Sequence, residues 1–174
     1  MKRTNLRRTT PRKPRRILRE SSNHPLFKRK LKLLGELDEM EYKGNPLKVA
    51  PSRAMLLHVQ IANIELKFGY PSRAAERFEA VAKTCRDLNL TNTSKKYFTK
   101  AGLLYRSSLE ELAKSKPPIS PLYSPDGSLS SAAKRTINEA INAFKAAGNN
   151  ELVAETTKIL THEIDPVTLK PIKK

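Results

Sequence analysis

Cysteine occurs once, at Cys85, so the chain has no internal disulfide framework and no cysteine cluster for zinc. A reducing, intracellular compartment is therefore expected, cytoplasmic or nuclear, with an organelle as the alternative. His24, His58 and His162 stand far apart, with no partner at metal-ligand spacing, and neither a metal nor a cofactor is expected. The six glycines are never closer than nine residues, so neighbouring turns cannot build a phosphate-cradling loop. No apolar run nears the roughly eighteen residues that a membrane span needs, and no membrane partner is expected. Glu110 and Glu111 diverge on a helix, and the acids between Glu36 and Glu41 read as a solvated face. No pair of carboxylates is aimed at one substrate, and the reading is a protein that is not an enzyme.

What the chain does have is a concentration of positive charge. Residues 1–19 hold nine cations and no acid: Lys2, Arg3, Arg7, Arg8, Arg12, Lys13, Arg15, Arg16 and Arg19. Lys28, Arg29, Lys30 and Lys32 follow, against Glu20 alone, so the first 32 residues carry twelve of the chain's seventeen net positive charges. Three bulky apolar residues in the arm, Leu6, Ile17 and Leu18, bury too little surface to offset the entropy of ordering it. Pro11 and Pro14 also interrupt any helix there, so the arm is expected to be unstructured when free. Such a segment calls for a polyanion.

Beyond the arm the period of the apolar residues is helical throughout, and nothing alternates with period two. Helices are expected at about 25–42, 51–69, 71–88, from caps at 91–93 to about 114, at 131–148 and at about 150–162. The segment between residues 114 and 130 includes Pro117, Pro118, Pro121 and Pro125 and has no period, so it is expected as surface chain that adds little to the core. The organisation is thus a basic arm (1–24), a helical domain (25–163, with the Pro-rich loop at 114–130) and a basic tail (164–174). The first helix carries its cations at its positive pole and Glu36, Asp38, Glu39 and Glu41 at its negative one. That order opposes the macrodipole, and an anion at the basic end would offset it.

Ala62, Gly69, Ala74 and Phe78 fall at the spacing of the small, turning and aromatic positions of a helical hairpin, and Gly102, Tyr105, Ala140, Phe144 and Ala147 repeat the pattern around the Pro-rich loop. In this the chain resembles tetratricopeptide repeats, over about half its length. The resemblance implies an all-α fold, either a short run of helical hairpins or a small helical bundle, with a groove for a peptide or a partner helix. The carboxylate clamp of some members is not implied, because Val59 stands where that clamp has lysine, although Asn63 fits.

The candidate nucleic-acid contacts are the thirteen cations of residues 1–32, with Tyr97 as a ring on which a base would stack beside Lys95, Lys96, Lys100 and Arg106. Ile119, Leu122 and Tyr123 are the candidate anchors of the loop on a protein neighbour. Arginine outnumbers lysine seven to two in the arm, which favours bidentate phosphate contacts. The expected function is a structural RNA-binding component of a ribonucleoprotein such as a ribosome. The alternatives are a nuclear DNA- or chromatin-associated protein, and a repeat-type adaptor with Arg12, Lys13, Arg15 and Arg16 in an import signal.

Overall fold

The computed structural model describes residues 21–114, 122–124, 126–161 and 163–172. These form seven helices: α1 (Pro25–Tyr42), α2 (Pro46–Val49), α3 (Pro51–Phe68), α4 (Pro71–Asp87), α5 (Thr91–Lys114), α6 (Ser131–Ala147) and α7 (Asn150–Leu160). The fold is all-α, as the periodicity predicts. There is no strand among the described residues, and α2 is the one short element that the sequence pattern does not announce.

Local chemistry sets the boundaries. Helices α1 to α4 each begin with proline, whose fixed φ suits a first turn and whose missing N–H would have had no helical partner. Four caps accept from the exposed amides of their own helices: His24 Nδ1 from Leu26, Asn45 from Leu47, Ser130 from Ala133 and Asn149 from Leu152, at 3.0–3.1 Å. At the other ends Gly69 and Gly148 take left-handed φ of 81° and 72°. Each closes a paired turn, Tyr70 N–H to Glu65 C=O and Asn149 N–H to Phe144 C=O, which ends α3 and α6 sharply enough for the next helix to fold straight back.

Packing follows chain order: α3 on α4, α4 on α5, α5 on α6 and α6 on α7. Helix α1 runs antiparallel to α3, because the His24 ring meets Phe68 edge-on at 5.5 Å at one end while Glu36 pairs with Arg53 towards the other. The central core joins α3 to α6 through Ala62, Ala74, Phe78, Tyr105, Ala140 and Phe144, small and aromatic positions that the hairpin spacing singles out, together with Ala101. The approach of α5 to α6 is close enough that a Cβ on Gly102 would lie 2.5 Å from Cε1 of Phe144. A second cluster seats α1 on α3 through Leu33, Leu37, Leu57 and Ile61.

The third cluster corrects an expectation. Leu122 and Leu129, 5% and 2% exposed, pack with Leu109, Ile137, Ile141 and Ile159. The segment that carries them is a small turn, bridged between Tyr123 and Leu129, with Ser130 N–H on the Leu122 carbonyl at 3.0 Å. Asp126 holds the tip by accepting from the amide and hydroxyl of Ser128. Leu122 and Leu129 therefore belong to the core, while Tyr123 and Asp126 between them stay exposed. The chain after α7 also folds in: Asp165 accepts from the amides of Val167 and Thr168, and Ile164 and Val167 pack on the same cluster.

Candidate nucleic-acid interface

The basic run continues from the arm into the first two turns of α1. Lys28 and Lys32 are one turn apart on one side of the helix, with Arg29 flanking them, and all three are exposed. They make no ion pair among the described residues, and the first turn holds no acid. A cation in the first turn of a helix costs on the order of 0.3–1 kcal/mol, an effect that Lys28 bears most and that fades towards Lys32, and a phosphate held there would reverse the sign.

Lys30 faces the other way. It is 7% exposed, with its ammonium 3.8 Å from Glu65 and 5.9 Å from the centroid of the Tyr70 ring. Burial pushes the Glu65 carboxyl above its ordinary range, while Arg77, Lys30 and Arg73 pull it back. Taking one member out of a buried pair costs roughly 3–5 kcal/mol, more than an exposed phosphate contact returns, so Lys30 leaves the set of nucleic-acid contacts. Position 30 lies one turn before Leu33 and two before Leu37, on the face that meets α3, but its charge makes it read with its basic neighbours.

Tyr97 is half-buried, and one face of its ring is taken: it stacks on Phe78 at 5.8 Å and 16°. The Lys100 ammonium sits 3.7 Å from the Phe78 centroid, and burial lowers its pKa. Arg106 departs from the expected surface altogether, being 8% exposed and bonded to Glu155 at 2.8 Å on α7. Lys95 and Lys96 remain exposed beside Tyr97. Of the loop anchors, Leu122 is a core residue, Tyr123 is exposed, and Ile119 lies outside the described residues. The nine arm cations, Lys2 to Arg19, also lie outside them. Cys85 is buried with its Sγ 3.6 Å from Met55 Sδ, and burial raises its thiol pKa, in keeping with a packing role.

A groove of about 870 Å³ runs along α4, with α2 and the start of α3 at one end and α6 as the opposite wall, and sequence reasoning misses its acidic lining. Its lining carries Glu76, Glu79, Asp87 and Glu139, and Tyr105 from α5 forms the floor. The Tyr105 hydroxyl donates to Glu79 at 3.1 Å. Its pKa is pushed up first by burial, then by Glu79, Glu139 and Glu76. The i,i+3 spacing of Glu76 and Glu79 is the one local signal; Glu139 joins them only through the packing of α6 on α5. A smaller hollow of about 350 Å³, lined by Glu41 and His58, shares Asn45 and Leu47 with the groove.

Among the described residues no helix is long and apolar enough to cross a membrane, and no three His, Cys, Asp or Glu side chains are grouped to hold a metal ion. No protein-family model, curated protein or solved structure matches the chain.

Proposed function

We propose that this protein is a non-enzymatic RNA-binding component of a ribonucleoprotein, held to structured RNA by its basic arm and the amino-terminal turns of α1. One observation carries the reading: thirteen of the first 32 residues are Lys or Arg and one is acidic. Support comes from Lys28, Arg29 and Lys32, which extend the run near a positive helix pole as exposed charge without an ion pair among the described residues. Phosphate contacts of this kind fix position without reading sequence, so the recognised feature is the shape of folded RNA. The helical body, with exposed Tyr123, then serves a protein neighbour in the same particle.

Fluorescence anisotropy on a labelled RNA hairpin and on a DNA duplex of equal length tests this. The full chain is expected to bind the hairpin, and a variant with the nine arm cations changed to Gln is expected to lose most of that affinity. Tighter binding to the duplex would favour the chromatin reading instead.

A further inference from the structure

In a chain of net charge +17, the groove along α4 gathers carboxylates. Glu76 and Glu79 come from α4, Asp87 from its last turn and Glu139 from the facing wall, while Glu41 continues the acidic lining into the adjoining hollow. The balancing cations in the lining are Lys48, Lys83 and Arg135, and the last two are held weakly. Lys83 pairs with Glu79 at 2.8 Å and Arg135 with Glu139 at 3.8 Å, both as i,i+4 contacts whose cations are 57% and 82% exposed. Pairs of this kind are worth about 0–1 kcal/mol and yield readily to an arginine with better geometry. At the floor the Tyr105 hydroxyl lies in the combined field of three of these carboxylates.

We propose that the groove is a docking site for the chain's own basic arm, residues 1–19, which lies there until RNA claims it. Charge complementarity is the first reason: nine cations without an acid face a hollow whose lining holds Glu76, Glu79, Asp87 and Glu139 against Lys48, Lys83 and Arg135, acidic on balance in a strongly basic chain. Reach is the second. The described chain begins at Ser21, three residues before His24, whose ring touches Phe68 at the carboxy-terminal end of α3. Ser72, at the adjoining end of α4, is where the groove starts, and Leu88 is where it finishes. That span is about 24 Å of helix. Nineteen extended residues cover up to about 60 Å, enough to enter the groove and follow it to its end. Arginine suits the occupant, since its planar fork takes a carboxylate bidentately and stacks on aromatic rings. Docking would hold the arm off non-cognate polyanions, and RNA would displace it by outnumbering the groove's charges. That exchange rests on the RNA-binding reading; the docked state does not.

The test uses the full chain without RNA. A nitroxide is attached at Thr9→Cys in a Cys85→Ala background, and amide signals are compared with the label oxidised and reduced. Signals of Glu76, Glu79 and Glu139 are expected to lose most of their intensity at low salt. They should recover at about 1 M salt, where the Debye length falls to about 3 Å, and in a Glu76→Gln, Glu139→Gln variant. Unchanged groove signals, or broadening concentrated on another face, would overturn the proposal. So would broadening that appears in a mixture of labelled chains and isotope-enriched unlabelled chains and disappears on dilution, because the occupant would then be the arm of a second copy. Failure of the RNA assay with broadening intact would count against the RNA reading and leave the docked arm standing.

Discussion

Two residues show how single side chains hold this fold to one arrangement. His58 on α3 has a buried Nδ1 without a hydrogen-bond partner among the described residues, and burial, with Arg77 nearby, lowers its pKa to about 4. The folded state thus prefers the neutral ring. In the unfolded chain the ring takes a proton at its ordinary value near 6.5, so between about pH 6.5 and 4 unfolding binds a proton and stability falls as pH falls. Thermal melts at pH 7 and pH 5 should show a smaller drop for His58→Leu than for the parent; an equal drop would place the sensitivity elsewhere. Gly102 is set by contact rather than by dihedral. Alanine there would gain about 1 kcal/mol of helix propensity, but its Cβ would fall 2.5 Å from the fully buried ring of Phe144. We expect Gly102→Ala to lower stability by about 1–3 kcal/mol in denaturant titrations, and Phe144→Leu in the same chain to recover part of the loss.

At the scale of elements, the helices were legible because their apolar residues recur with period 3.6 and their ends carry strong punctuation, Pro25, Pro51 and Pro71 at starts and Gly69 and Gly148 at ends. Two things were hidden, for one reason. The prolines and the lack of a period across this turn read as surface chain, so nothing local reveals that Leu122 and Leu129 are buried against α5, α6 and α7. Lys30 looks like its basic neighbours until α3 brings Glu65 against it. Both depend on contacts between residues remote in sequence. The turn now carries an expectation opposite to the one its prolines suggest: Leu122→Ala should destabilise the fold by about 2–5 kcal/mol, as a core truncation does. Tyr123→Ala, at an exposed position, should cost far less. Equal and small effects on the chemical denaturation midpoint would return the turn to the surface.

Across the whole molecule charge is sorted. Cations fill the first 32 residues and the start of α1, while the acids of α4 and α6 line a groove on the body. The arm was legible as composition alone, since a run of like charge needs no fold to be recognised. Which of its continuation reaches solvent was not, and the packing of α1 on α3 leaves Lys28, Arg29 and Lys32 outward and turns Lys30 in. Twelve cations then remain for phosphate. If about half of them make contact, the logarithm of RNA affinity should fall against the logarithm of salt with a slope of about −4 to −5. The most direct measurement is that slope, taken for the full chain and for the variant with its nine arm cations changed to Gln. The account expects a steep line for the first and a line flattened to about −1 to −2 for the second, from the three cations that α1 retains. Parallel lines would contradict it and move the RNA contact to the helical body.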